Sequence, residues 1–253
     1  MKDHNCIQQD YWNSVAENNE VLCDEKIPYP AIREREKFFQ FAGFKSNQNI
    51  LEIGCGTGRY TLPLLKMGCR VHATDISDKA ISVLKKSAEE KGLDKNLSFE
   101  VNTFECQKQV GGLCGKFDYV LFVAVIHHVD PVKLDTIIAN AVNSLKVGGK
   151  IIALEPNPFN PLYYLLYFWR AVAGVEGKNR WGTEKGFLKT SPFSLKKLFN
   201  KSGLKNIQVA RYAWLPSVFG NKFPFVFKVN DTLNCIPFIK EMSAFTWISA
   251  EKR

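Results

Sequence analysis

The residues of this chain best suited to chemistry stand where apolar runs end. In "ILEIGCGTGRY", residues 50–60, Glu52 is followed by Gly54, Gly56 and Gly58 at alternate positions. Glycine costs backbone entropy inside a regular element, so this spacing marks a backbone that turns sharply or approaches a ligand closely. The next apolar run, "RVHATD", closes on Asp75, about twenty residues on, where a carboxylate can bond both hydroxyls of a ribose. A further run, "KFDYVLFVAVIHHV", ends near His127 and His128. An imidazole titrates close to neutral pH and can take a substrate's proton; the same ring can instead fix a loop or a helix cap. The chemistry indicated is a ribose-bearing cofactor held at a backbone turn, with an imidazole at the same edge.

For these groups to meet, the runs must be neighbouring strands. Between them lie helical patterns: "RYTLPLLKMG", stopped by Gly68, "KAISVLKKSAEEKG", started by Ser77 and Asp78, and "DPVKLDTIIANAVNSLKVGG", opened by Asp130 and Pro131. "LSFEVNTF" and "KIIALEP" complete five strands alternating with helices, the pattern of a parallel sheet covered on both faces. Ahead of the sheet, helices run from Tyr11 to about Phe44, broken at Pro28 and Pro30, the second stopping at Gly43. After Pro156 the rhythm breaks into an aromatic, Pro- and Gly-rich insertion. It resumes with a helix at "SLKKLFNKSG" and strands at "KNIQVARYAWLP" and "AFTWISAEK".

With 253 residues and an ordinary apolar content, one domain is expected. It comprises a helical cap over 1–44, a cofactor-binding core over 45–156, an inserted lid over 157–193 and the closing part of the sheet over 194–253. The polar start is not a secretory signal, and the most apolar stretch, from Pro161, is short and interrupted by Arg170. Seven cysteines without a Cys-x-x-Cys pair argue against a disulfide framework or zinc site and for a cytoplasmic protein. The net charge of +9 comes from lysines spread along the chain, as expected of solvated helix faces rather than one nucleic-acid patch.

Two cofactors fit a glycine turn after a strand. A dinucleotide fingerprint needs Gly-x-Gly-x-x-Gly, and the third position here is Arg59. "LEIGCGTG", "ATDIS", "FDYVLFVAVIHHV" and "LKVGGKIIALEP" together resemble the class I S-adenosylmethionine-dependent methyltransferases, from about Gln48 to Pro156 and on through the closing strands. "EPNPFNP" also looks like a subgroup of these enzymes with poorly defined substrates. The resemblance implies a Rossmann-like, doubly wound α/β fold. Its seven-stranded sheet would be mostly parallel, with an antiparallel last strand and helices on both faces. It implies that Glu52, Gly54, Cys55, Gly56 and Gly58 hold the methionine part of S-adenosylmethionine, Asp75 its ribose, and Ile76 its adenine. Asn102, where the family often has aspartate, and Thr103 would face the adenine edge, and Val123 would offer a carbonyl to the amine. The product would be S-adenosylhomocysteine, and no metal is expected.

Methyl transfer needs an aligned nucleophile and, for some acceptors, a base. His127 or His128 is the expected base, His128 matching the family pattern more closely. Tyr11 and Trp12 lie in a segment that could fold over the cofactor. Tyr163 and Tyr164 belong to the aromatic insertion, read either as a lid or as an apolar substrate mouth and peripheral membrane contact. Arg33 and Arg35 are read as solvated helix charges that could meet the cofactor carboxylate, and Glu184 and Lys185 as possible substrate contacts. "AVIHHV" stands where nucleic-acid amino methyltransferases carry an Asn-Pro-Pro-Tyr-like tetrapeptide, so nucleic acid is not the expected substrate. The expectation is methyl transfer to oxygen on a small or lipid-like molecule. Its rivals are a binding protein that keeps the cofactor without turnover, a methyltransferase of nucleic acid or protein, and a nicotinamide oxidoreductase.

Overall fold

The computed structural model describes residues 3–18, 29–105, 111–172, 185–215 and 225–253. Glu184 and part of the second aromatic stretch, residues 219–224, lie outside them. Among the described residues the sheet has seven strands: β1 (Asn49–Ile53), β2 (Arg70–Asp75), β3 (Leu97–Val101), β4 (Phe117–Val123), β5 (Leu145–Pro156), β6 (Lys205–Tyr212) and β7 (Phe245–Glu251). Their spatial order is β3-β2-β1-β4-β5-β7-β6. β7 pairs antiparallel with both β5 and β6, and the remaining pairings are parallel. The chain builds outward from β1 to β3, then returns to lay β4 on the other side of β1. The carboxyl ends of β1 and β4 therefore flank the point where the winding reverses, the place where such sheets bind ligands.

Eight α-helices surround the sheet among the described residues: α1 (His4–Asn18), α2 (Tyr29–Ala42), α3 (Thr61–Lys66), α4 (Asp78–Glu90), α5 (Leu134–Ser144), α6 (Pro161–Val172), α7 (Pro192–Lys201) and α8 (Phe225–Cys235). Phe38, Leu64 and Leu84 from α2, α3 and α4 pack one face of the sheet. Ile138 of α5 and Phe199 of α7 pack the other. β7 serves both cores by simple alternation, with Trp247 on the first face and Ile248 on the second.

The elements differ from the sequence pattern in several places, the first helix beginning at His4 rather than Tyr11. The helix expected to run through "LKVGG" stops at Ser144, because Leu145 turns extended, buries completely and pairs with Phe117 to begin β5. Gly149 sits there because three carbonyls, of Lys146, Phe117 and Asp118, fill the space a Cβ would take at 3.0–3.1 Å. α8 was not foreseen, its stretch having been read only for its aromatics.

The "EPNPFNP" segment is a structural joint. Asn157 Nδ2 donates to the carbonyls of Glu241 and Ser243, both at 2.8 Å, while its Oδ1 accepts the Phe159 N–H. Asn160 repeats the device: Nδ2 donates to Trp214 and Met242 carbonyls, and Oδ1 accepts the Leu162 N–H at 2.9 Å, at the start of α6. Pro161 then opens the helix, where its missing N–H costs nothing. Both amides are buried with donors and acceptors used, as buried polar groups require.

Candidate active site

At the switch point the carboxyl ends of β1, β2, β3 and β4 surround a cavity of about 410 Å³, inside the roughly 300–1,000 Å³ range of small-molecule sites. Glu52, Gly54, Cys55, Gly56, Asp75, Ile76, Asn102, Thr103, Val123, His128 and Trp12 all line it. Sequence reasoning had singled out each of them. Gly58 does not line the cavity. It packs beneath the turn, where a Cβ would meet Leu84 Cδ1 at 2.5 Å.

The glycine turn is tied directly to the end of β2. Gly56 N–H donates to Asp75 Oδ2 at 2.7 Å and Ser77 N–H to Oδ1 at 2.9 Å. Gly56 takes φ +53°, a conformation disfavoured for a side-chain-bearing residue. An ionised carboxylate offers about four lone pairs, so each Asp75 oxygen keeps acceptor capacity where the residue borders the cavity. Burial pushes the Asp75 pKa up, opposed by these backbone N–H groups.

Glu52 is more starkly desolvated. Its Oε2 accepts from the Thr61 hydroxyl at 2.6 Å, and burial drives its pKa up to about 8. Cys55 lines the same wall, its thiol pushed well above the usual range by burial and the neighbouring carboxylates. Asn102 Oδ1 accepts the Phe104 N–H at 2.7 Å, which leaves Nδ2 as a buried donor bordering the cavity with no protein partner.

Helix α1 forms the roof and supplies residues that sequence reasoning missed. Asn5 Nδ2 donates to Glu105 Oε1, Ser77 Oγ donates to Asn13 Oδ1, and Gln8 Nε2 donates to the His128 carbonyl at 3.2 Å. His4 Nε2 lies 3.0 Å from that same carbonyl. A carbonyl only accepts, so Nε2 is the donor of that pair, and Nδ1 is the ring's other nitrogen. That Nδ1 is buried without a protein partner, and His4 lines the cavity. The signal was present in the spacing: His4, Gln8, Trp12 and Ala16 recur every four residues, one face of a helix.

The two adjacent histidines part ways. The His128 ring meets Trp12 edge-on, centroids 5.0 Å apart, and borders the cavity. His127 does not line it. Its Nδ1 lies 2.8 Å from Glu155 Oε2, and its ring is held against the fold. Among the remaining sequence candidates, Tyr11 supports Trp12 edge-on at 5.0 Å from outside the lining. Tyr163 and Tyr164 stand away from the cavity: the Tyr163 hydroxyl donates to the Ala244 carbonyl, and Tyr164 is exposed.

Arg33 pairs with Asp231 at 3.3 Å. Arg35 is not solvated as expected; it is buried and donates to the Arg59 carbonyl beneath the glycine turn. Beside it Glu34 is buried, and desolvation raises its pKa to about 7. Arg59, the residue that broke the dinucleotide fingerprint, lines the cavity as a cation. Lys185 pairs with Asp130 at 3.6 Å. Among the described residues no group of three or more His, Cys, Asp or Glu is placed to hold a metal ion.

The comparisons with known proteins agree with this geometry. Residues 50–149 match the family profile described as a methyltransferase domain. A ubiquinone biosynthesis O-methyltransferase of Bartonella bacilliformis is 32% identical over 188 residues, covering 72% of this chain and 68% of that protein. The enzyme of the same name from Cereibacter sphaeroides is 32% identical over 159 residues, and the match spans 59% of its length. The magnesium protoporphyrin IX methyltransferase of Synechocystis, solved with bound S-adenosylhomocysteine, superposes with a TM-score of 0.62 at 16% identity, over 98% of this chain and 99% of that one. With the glycine turn, the acid ending β2 and the reversal of winding all meeting at one cavity, the chain belongs to the class I S-adenosylmethionine-dependent methyltransferases.

Proposed function

We propose that this chain transfers a methyl group from S-adenosylmethionine to a hydroxyl of a small, lipid-like acceptor. The observation that carries the reading is Asp75, a buried carboxylate tied to the glycine turn at the cavity's edge with acceptor capacity to spare. Its open lone pairs suit the two hydroxyls of a ribose, and the orphaned Asn102 Nδ2 suits a ring nitrogen of the base. Glu52 and Arg59 suit the amine and carboxylate of an amino acid. The residues present therefore fit the cofactor, which when bound supplies an electrophilic methyl group on a sulfonium.

The protein's part is to orient and to take a proton. As an acceptor hydroxyl gains a methyl, its own proton must leave. His4 and His128, imidazoles bordering the cavity, are the candidates to receive it. α1 excludes water from this end, since its His4 and Gln8 are buried. Oxygen as the target is supported by the names of the Bartonella and Cereibacter relatives, and a reducing cytoplasmic setting by the free thiols of Cys55 and Cys69.

Transfer of a radiolabelled methyl group tests this, using phenols that carry an apolar tail as acceptors. Label should enter the organic phase, and His4→Ala should lower kcat by about a hundredfold while cofactor affinity holds. Cofactor binding with no labelled product from any hydroxylated acceptor would overturn the reading.

A further inference from the structure

We propose that the outer face of α6, with the lysine-flanked turn and helix beside it, docks this protein onto an anionic lipid bilayer. An amphipathic helix in a globular domain ordinarily turns its apolar stripe to the core. α6 does the reverse. Leu165, Phe168, Trp169 and Val172 are 53%, 66%, 64% and 68% exposed, and their spacing of three and four places them on one outward stripe. The helix is not free to roll this stripe inward. Asn160 holds its first turn to the Trp214 and Met242 carbonyls, and the Tyr163 hydroxyl holds the next residues to Ala244.

The surroundings specify the charge of the partner. The rings of Tyr163 and Tyr164 meet Phe187 at 5.9 and 6.5 Å, so the turn carrying exposed Leu188 and neighbouring Lys189 adjoins the helix. Phe159 meets exposed Phe193 of α7 at 6.2 Å. Lys196 and Lys197 follow Phe193 by three and four residues and so share its face. Lys185 and Lys201 pair with Asp130 and Asp135, but no acidic residue stands in the sequence from Lys185 to Lys205 or in α6.

A second copy of this +9 chain would oppose like charge to like. A bilayer bearing anionic headgroups offers both the apolar depth for Trp169 and Phe168 and the counter-charge for the lysines. At twelve residues α6 is about 18 Å long, too short to cross a hydrocarbon core of about 30 Å. It would lie in the interfacial plane. The proposal goes beyond methyl transfer and does not depend on it.

Vesicle flotation tests it, comparing equimolar phosphatidylglycerol and phosphatidylcholine with phosphatidylcholine alone. The wild-type chain should float with the anionic vesicles at low salt and with the zwitterionic ones far less. The triple variant Leu165→Gln/Phe168→Gln/Trp169→Gln should lose at least about tenfold in partitioning, with its melting temperature and S-adenosylhomocysteine affinity kept, since all three side chains are exposed. Lys196→Glu/Lys197→Glu should weaken binding and flatten its salt dependence. Failure to float with either vesicle would overturn the proposal, as would equal flotation by the triple variant. A concentration-dependent dimer abolished by the triple variant, without vesicle binding, would also overturn it by assigning the face to a second copy.

Discussion

Two buried carboxylates, on strands that flank β4, do opposite work. Glu155, at the end of β5, is completely buried, and its oxygens face four donors: the N–H groups of Val125, Ile126 and His127 at 2.9, 2.8 and 3.4 Å, and His127 Nδ1 at 2.8 Å. It borders no part of the cavity. Glu52, on β1, has the Thr61 hydroxyl as its donor and lines the cavity, and burial lifts its pKa to about 8. Asp75 stands nearer to Glu52 in kind, held by two N–H groups yet open on the cavity side. A carboxylate whose lone pairs are filled by the fold belongs to the frame. One that remains desolvated at a cavity wall keeps acceptor capacity the fold does not fill.

The comparison can be broken most forcefully at Glu155. Glu155→Ala strands several buried donors of the loop after β4 and should cost about 3–5 kcal/mol, read as a fall in the urea midpoint. A variant as stable as wild type would remove Glu155 from the frame. The two regions touch at Gly54, where a Cβ would run into the Val125 side chain and φ is +75°. Gly54→Ala should therefore cost roughly 2–4 kcal/mol by the same measurement, displacing the loop that Glu155 holds.

Glu52 sharpens the contrast through pH. Its folded pKa of about 8 lies above the ordinary 4.5, so the folded state keeps a proton that the unfolded chain releases between those values. The resulting stability is full below about pH 4.5 and is lost as pH rises through 8. Glu52→Gln should match wild type near pH 5 and exceed it above pH 8 by up to about 4 kcal/mol. A residual slope up to about pH 7 should remain from Glu34, raised to about 7 in the same way. Unchanged pH dependence of thermal unfolding in the variant would count against the desolvated carboxylate. The smallest effect is expected at Gly56, whose Cβ would meet nothing within 4 Å. Gly56→Ala should cost only about 1–2 kcal/mol, from its positive φ.

The region around Glu52 and Asp75 was readable in the sequence because its determinants are local. A strand, a glycine turn and an acid after the next strand sit within about twenty-five residues. His127 and His128 were not separable, because consecutive residues of a 3₁₀ turn point about 120° apart. Which ring meets Glu155 and which meets Trp12 depends on how β5 and α1 dock. His4 was missed because its place at the cavity depends on α1 docking beside a carbonyl 124 residues away. Asn157 and Asn160 looked like part of a substrate insertion for the same reason; their partners lie more than fifty residues on, in Trp214 and the approach to β7.

The most direct test of the site is calorimetric titration of S-adenosylhomocysteine into the wild-type chain and into Asp75→Ala, with folding of both checked by thermal unfolding. Micromolar binding should weaken about a hundredfold in the variant, as loss of two hydroxyl bonds to a charged acceptor at about 1.5 kcal/mol each implies. Equal affinity in the two proteins, or binding of NADH in place of S-adenosylhomocysteine, would contradict the assignment of the cavity that the glycine turn and Asp75 border.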